Sequence, residues 1–331
     1  MNRPTENDLV RRIGLAGRWL SADNAAVQLG IGDDAALFSP RRGYETILTC
    51  DWFLEGMHFL RDQHPADSIG WKCLARAVSD IAAMGGEPRC FLLSLAIPES
   101  HAGPWLDEFL RGLRRAARKL ACPLAGGDTT RRSEILMNVT VIGEVRSGRA
   151  RLRSGARPGD VIYVSGRLGE ADFGLQRLRK GRIGKNDPVV RKHLYPEPRI
   201  ALGRWLADHR IATAMMDLSD GISTDLPRLC AASRVGARLN ASRIPTVHIR
   251  NQSRLSNSAA LDLALNGGDD YELLFTVRPG KARRMPRSFE RLGLTAIGEI
   301  TYQRQMILVG SEGRERNLSP GGWDPFRRSH S

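Results

Sequence analysis

The sequence predicts two α/β or α+β domains in one chain. Three observations carry this. A length of 331 residues suits two domains or one large one. Helix-period and strand-period patterns mix in both halves. Between them, the stretch Arg146-Ser-Gly-Arg-Ala-Arg-Leu-Arg-Ser-Gly-Ala-Arg-Pro-Gly-Asp160 is rich in turn formers and charge, and it sets the expected domains at 1–148 and 149–331.

The elements follow in order. Residues 6–20 read as an amphipathic helix with Leu9, Val10, Ile13 and Leu20 on one side. Thr46 to Cys50 reads as a short strand ending at Asp51. Between Ser68 and Met84, Ile69, Cys73, Ala77 and Ile81 recur at four-residue steps, with Leu74 and Val78 beside them, so a helix is expected. Gly85-Gly86 stops it. Phe91 to Ile97 is an apolar strand closed by Pro98. A helix from Trp105 to Ala121 leads through a strand-like turn into Gly126-Gly127-Asp128. Leu136 to Val145 alternates as a strand does.

The second half opens with the strand Val161 to Val164, with Ser165-Gly166 after it. A helix from Glu170 to Lys180, a polar linker to Pro198 and a helix near 199–209 are expected next. A strand from Ala212 to Met216 runs into Asp217, and a helix follows near 222–234. Leu273 to Val277 reads as a strand, and the tail from 311 is turn-rich. No internal repeat is strong enough to claim.

Composition excludes several classes. With 41% apolar and 26% charged residues the chain is expected to be a soluble globular protein rather than a disordered one. The five cysteines, Cys50, Cys73, Cys90, Cys122 and Cys230, form no C-x-x-C pair and no metal-ligand spacing, so reduced thiols are expected. The start, Met1 to Asp8, has no apolar signal core, and no run reaches the ~18 apolar residues of a membrane span. The expectation is a cytoplasmic protein with no membrane partner. A formal net charge of +14 fits either a nucleic-acid partner or an anionic small substrate. The arginines are dispersed, as in Arg111, Arg114, Arg115 and Arg118 on one helix and Arg327-Arg328 at the tail, and no aromatic-plus-basic module accompanies them. A small anionic substrate is therefore expected, with a basic nucleic-acid-binding protein as the alternative from another class.

Against this basic background the acidic turns stand out. They read Gly30-Ile-Gly-Asp33-Asp34, Cys50-Asp51, Ser79-Asp80, Gly126-Gly127-Asp128-Thr129, Asp217-Leu218-Ser219-Asp220-Gly221 and Gly267-Gly268-Asp269-Asp270-Tyr271-Glu272. A lone Asp in a Gly-rich turn usually caps backbone amides. Several strands ending in Asp call for more, because a strand terminus can aim a carboxylate at a shared cleft. Two unit charges ~4 Å apart repel by about 4 kcal/mol at an effective dielectric of 20. Converging carboxylates therefore need cations, and Mg²⁺ suits single oxygen ligands whose shell phosphates complete. There is no P-loop and no protein-kinase motif set. Gly166-Arg-Leu-Gly169 is a weak phosphate-loop candidate, better read as a turn.

These motifs, together with Thr49-Cys50-Asp51, Met57-His58-Phe59 and Asp80-Ile-Ala-Ala-Met-Gly85, closely resemble in order those of the thiamine-monophosphate kinases, in the aminoimidazole-ribonucleotide-synthetase-like ATP-binding superfamily. The resemblance runs from about residue 6 to 326. It implies that superfamily's two-domain fold, with an N-terminal sheet domain pairing across a homodimer and an active site in the cleft between domains. It implies Mg²⁺-dependent transfer of the ATP γ-phosphoryl group to thiamine monophosphate, with several metal ions. By the same resemblance Asp34, Thr49, Asp51, Asp80, Asp128, Asp217 and Asp220 would hold metal, with Asp51, Asp80, Asp128 and Asp220 the catalytic acids. Gly127, Asp128, Arg153 and Ser219 would meet ATP. His58, Asp269 and Trp323 would face thiamine monophosphate.

The chain also departs from the family pattern. Cys50 stands where Thr is common, and a neutral thiol is a poor Mg²⁺ ligand, so at most its backbone carbonyl would serve the metal. Asp269 stands where Glu is frequent. The helix before Gly126 lacks the tyrosine expected near adenine. Among superfamily rivals, a selenophosphate synthetase would carry a reactive Cys nearer the start than Cys50, and a hydrogenase-maturation dehydratase would end in Cys rather than Arg-Arg-Ser-His-Ser. An aminoimidazole ribonucleotide synthetase is the remaining alternative; its substrate lacks the thiazolium that His58 and Trp323 would favour.

Overall fold

The computed structural model describes residues 6–21, 26–31, 34–181, 187–248, 255–310 and 312–326. Gly32, Asp33, the Leu20 side chain and Arg327 to Ser331 of the sequence reading lie outside the described residues. The chain divides into two units, Met1–Ala82 with Gly86–Ala150, and Ala83–Gly85 with Arg151–Ser331.

The first unit contains α1 (Glu6–Ser21), β1 (Val27–Leu29), β2 (Leu37–Phe38), β3 (Tyr44–Leu54), α2 (Ala66–Ala83), β4 (Glu87–Ile97), α3 (Pro104–Lys119), β5 (Leu124–Arg131) and β6 (Leu136–Arg146). Its main sheet has the order β3-β6-β4-β5. β6 is antiparallel to both neighbours, and β5 is parallel to β4. The expected helical stripe is buried: Ile69, Cys73, Leu74, Ala77, Val78 and Ile81 are all at most 1% exposed. α2 and α3 cross closely at two glycines. A Cβ at Gly70 would lie 2.0 Å from the Phe109 carbonyl oxygen, and one at Gly112 would lie 1.7 Å from that of Asp67.

Two expectations change here. Asp51 does not end its strand, because β3 pairs with β6 without interruption from Tyr44 to Leu54. Gly126-Gly127-Asp128 is not a turn but part of β5, held by parallel pairing with β4.

The second unit contains β7 (Val161–Ser165), α4 (Glu170–Arg179), α5 (Pro188–Leu194), α6 (Ile200–Asp208), β8 (Ala212–Leu218), α7 (Ile222–Ser233), β9 (Gly236–Asn240), α8 (Asn257–Asn266), β10 (Glu272–Val277), β11 (Ser288–Phe289), β12 (Leu292–Thr301), β13 (Met306–Val309) and β14 (Glu315–Asn317). The sheet order is β14-β13-β9-β12-β7-β10-β8, with β11 on β12. All pairs are antiparallel except β13 with β9. Alternate residues of the central strands feed two cores, as a period of two requires. Ile162, Val164, Met216 and Leu274 pack with Ile222, Leu226 and Leu229 of α7. Tyr163, Met215, Leu273 and Phe275 pack with Leu202 and Leu206 of α6. The predicted mixture of helix and strand is thus present in both units.

The polar linker expected before Pro198 holds a helix, α5. Asp187 caps it by accepting from the Val189 and Val190 amides, and Pro188 sits in its first turn. Asp217 lies inside β8, paired with Leu273, rather than after the strand. Among the described residues no helix is long and apolar enough to cross a membrane.

Candidate active site

In the first unit, Thr49 and Asp51 alternate along β3 with the buried Ile47 and Phe53, so all four face α2. The Thr49 hydroxyl Oγ1 donates to Asp80 Oδ2 at 2.5 Å. One turn earlier on α2, the Arg76 guanidinium lies 5.2 Å from the centroid of the Phe53 ring. Cys50 points to the other face, where it is exposed and its thiol donates to Asn138 Oδ1 at 3.1 Å. The ladders align Asp128 with Ser94, and Ser94 with Asn138. Asp128 therefore belongs to the face of Cys50. Its Oδ1 accepts the Thr129 amide at 2.9 Å.

Gly127 precedes it at φ 154°, where a Cβ would lie 1.9 Å from the Leu93 carbonyl oxygen. Only glycine fits that approach of β5 to β4. Asp34 is exposed. His58 Nδ1 accepts the Leu54 amide at 3.0 Å, which puts the proton of a neutral ring on Nε2. The first unit thus joins Thr49 to Asp80 beside Asp51, and sets Cys50 and Asp128 on the opposite face.

In the second unit β8 delivers the buried Asp217, and a tight turn through Ser219-Asp220-Gly221 starts α7. Asp225 Oδ2 accepts both the Ser219 amide (3.1 Å) and the Asp220 amide (2.9 Å). Arg228 Nη1 bridges Asp220 Oδ2 at 2.5 Å and Asp225 Oδ1 at 2.8 Å. Burial, and then the Asp220 charge, push the Asp225 carboxyl up to about 7. The turn is tied to two further predicted residues. The Asp269 amide donates to Ser219 O at 2.8 Å, and the Trp323 amide donates to Asp220 O at 3.2 Å. Trp323 itself stays 40% exposed. Arg153 lies elsewhere: its carbonyl accepts from Ser233 Oγ at the far end of α7, ~18 Å along the helix at ~1.5 Å per residue.

Several side chains around these residues escape a reading by motif. Asp270 Oδ2 accepts the Gly169 amide at 2.5 Å and Oδ1 the Ala171 amide at 3.1 Å, capping α4. Burial pushes its carboxyl up to about 7, against the Lys192 charge and those two amides. Glu272 is fully buried and receives Ser165 Oγ at 2.5 Å, Arg199 at 2.8 and 2.5 Å, and Lys192 Nζ at 3.0 Å. Burial opposes its ionisation, but Lys192, Arg199 and Ser165 outweigh this and hold the carboxyl at about 2. The signals were the acidic run around Asp270 and the Lys192-His193 pair of α5, neither of which has helical or strand periodicity. Among the described residues no three His, Cys, Asp or Glu side chains form a group that could hold a metal ion by themselves.

Residues 32–145 match the N-terminal domain, and residues 157–310 the C-terminal domain, of the AIR synthase related proteins. Thiamine-monophosphate kinase of Escherichia coli K12 is 37% identical over 306 residues, which cover 91% of this chain and 92% of that relative. The chain belongs to the thiamine-monophosphate kinase family. Among solved structures, the family member from Stenotrophomonas maltophilia K279a matches with a TM-score of 0.80 and 36% identity, over 91% of this chain and 95% of that one. AaThiL complexed with AMPPCP and TMP matches with a TM-score of 0.74 and 29% identity, over 95% and 96%.

Proposed function

We propose that the chain transfers the γ-phosphoryl group of ATP directly to thiamine monophosphate, giving thiamine diphosphate and ADP. Family membership supports this, as does the family complex with AMPPCP, an ATP analogue, and TMP. The observation that carries it is the Ser219-Asp220 turn. Its two carbonyls receive the amides of Asp269 and Trp323, so residues read as nucleotide, metal and acceptor contacts adjoin one another.

The acceptor is a phosphate monoester with a second pKa of about 6, so its oxygen is already anionic at neutral pH. No strong base is needed. This agrees with a residue set rich in carboxylates and poor in free bases. In the step, an acceptor phosphate oxygen bonds to the γ-phosphorus and the bond to the β–γ bridging oxygen breaks. ADP leaves, and no phosphoenzyme forms. The chain's task is alignment of two polyanions and compensation of their charge.

The donors fit Mg²⁺ by chemistry, being carboxylate and hydroxyl oxygens. Asp34, Thr49, Asp51, Asp80 and Asp128 in the first unit, and Asp217 and Asp220 in the second, are the proposed ligands; Asp128 lies on the sheet face opposite Thr49, Asp51 and Asp80 and so would serve a separate ion, and Cys50 is limited to its carbonyl. No described group closes a shell alone, so phosphate oxygens and water would complete it. Bound there, Mg²⁺ would neutralise phosphate charge during transfer. The Thr49–Asp80 bond and the Arg228–Asp220 bond orient two of these carboxylates. Gly127, Asp128 and Ser219 are assigned to ATP, and Arg153, anchored at the other end of α7 from Ser219, keeps that assignment on family resemblance alone. Trp323 offers a flat exposed ring to a cationic thiazolium, and His58 and Asp269 complete the acceptor contacts.

A homodimer through the first unit's sheet belongs to the same reading. Leu48 is 70% exposed and Trp52 58% on the outward face of β3, an apolar surface suited to a second copy. Five free cysteines support a reducing compartment, the cytoplasm. The test is incubation with ATP, Mg²⁺ and thiamine monophosphate, followed by product separation. Equal amounts of thiamine diphosphate and ADP are expected. Folded protein that makes no thiamine diphosphate would overturn the proposal.

A further inference from the structure

The turn that carries Asp269 is anchored through nearly every residue. Asp269 and Tyr271 take φ of 67° and 50°, a region non-glycine residues seldom visit. Their neighbours hold them there. Asp270 is bound to the start of α4, Glu272 is clasped by Lys192 and Arg199, and the Tyr271 amide donates to Leu218 O at 2.9 Å.

The Asp269 carboxylate is met on both oxygens. Tyr271 Oη donates to Oδ1 at 2.8 Å, and His193 Nδ1 of α5 lies 3.7 Å from Oδ2. The two rings are buried, Tyr271 at 2% and His193 at 1%, while the Asp269 side chain keeps 30% of its surface open. The partners thus stand behind the carboxylate and leave its front accessible. A carboxylate free to rotate would spread its charge over many directions. One pinned from behind presents it in a single direction, which is what recognition of a fixed cationic ring requires.

We propose that Tyr271 and His193 are positioning residues that fix the Asp269 carboxylate toward the cationic ring of the phosphate acceptor. This rests on the reading of Asp269 as an acceptor contact. α5 would then have a functional reason to be ordered: its consecutive Lys192 and His193 reach the buried Glu272 and the half-buried Asp269, the two ends of one turn.

The experiment compares Tyr271→Phe, His193→Ala, His193→Gln and Asp269→Asn in steady-state kinetics, with thiamine monophosphate and ATP varied separately and each variant's melting recorded. Tyr271→Phe should raise the KM for thiamine monophosphate about five- to tenfold, the loss of one hydrogen bond, and His193→Ala, which removes a 3.7 Å polar contact, about two- to fivefold, with kcat and the KM for ATP close to the parent. His193→Gln keeps a donor and should recover much of the loss. Asp269→Asn should raise the same KM at least as far. If Asp269→Asn raises it while Tyr271→Phe and His193→Ala leave it at the parent value, the positioning proposal is overturned and the acceptor reading stands. If Asp269→Asn leaves it unchanged, the acceptor reading itself fails, and this proposal with it. A fall in melting temperature with kcat and both KM values altered together would mark a merely structural role and also overturn it.

Discussion

Replacing Glu272 by Gln should be the most damaging isosteric change in the second unit. Four donors converge on its two oxygens, from Ser165, Arg199 twice and Lys192, and the side chain is fully buried. Glutamine has nearly the same shape but turns an NH₂ toward those donors and removes the negative charge that Arg199 and Lys192 share. Lys192 keeps a longer contact, 3.3 Å, with Glu170. Breaking a buried ion pair by removing one partner costs about 3–5 kcal/mol, because the remaining charge is left without compensation.

The carboxyl's own affinity for protons agrees with this size. Its drop from 4.5 to about 2 corresponds to about 3 kcal/mol at about 1.36 kcal/mol per tenfold change in proton affinity. The sign follows from the direction. A carboxyl held below its unfolded value stabilises the fold fully above 4.5, and that contribution fades as pH falls through about 2. The assay is melting followed by circular dichroism, with urea unfolding in parallel. At neutral pH the variant should melt roughly 6–20 °C lower, at about 2–4 °C per kcal/mol for a unit of this size. The gap should narrow as pH is lowered from 4.5 toward 2. A loss below about 1 kcal/mol, the range of an exposed ion pair, would show that the Glu272 charge does not balance Lys192 and Arg199.

Other outcomes follow from the same geometry. Gly127→Ala brings a methyl against the Leu93 carbonyl oxygen, so β5 must shift; stability should fall by roughly 1–3 kcal/mol, and turnover should fall with it. An alanine variant with the parent's melting curve would contradict the close approach. Of the five thiols only Cys50 is exposed, and burial pushes Cys73 up to about 12, Cys90 to about 11 and Cys230 to about 12. A thiol reagent at neutral pH should therefore titrate at most one cysteine in the native protein, Cys50, which a second copy seated on Leu48 and Trp52 would shield, and all five after denaturation. Rapid reaction of more than one native thiol would count against the burial of the rest.

Much of the fold was legible because periodicity reports burial. The four-residue recurrence of Ile69, Cys73, Ala77 and Ile81 marks a helix whose apolar side is indeed covered, and the apolar run before Val277 marks a strand buried on both faces. What escaped depends on partners distant in sequence. Gly126-Gly127-Asp128 has turn composition, yet it forms a strand because β4 pairs with it, and its glycine answers to the Leu93 backbone rather than to a bend. α5 has seven residues and mixed polarity, so its periodicity is too short to register; the Asp187-Pro188 start was the signal available. β9, β12, β13 and β14 are strands by tertiary pairing and carry little pattern of their own.

The site divides in the same way. The acids could be picked out by their glycine-rich contexts. Which face each occupies could not, because Cys50 and Asp51 are neighbours in the chain and opposite in the sheet. Asp225, Asp270 and Glu272, whose roles are to hold turns and balance buried cations, are defined only by what they touch.

The carboxylates are proposed to act through divalent cations. The initial rate of thiamine diphosphate formation as Mg²⁺ is titrated, for the parent, Asp51→Asn and Asp128→Asn, with melting curves alongside, tests this most directly. The parent should be inactive in chelator and gain rate with added Mg²⁺, while both variants fold normally and stay inactive throughout. Full parental turnover in chelator, or parental rates in both variants, would contradict it.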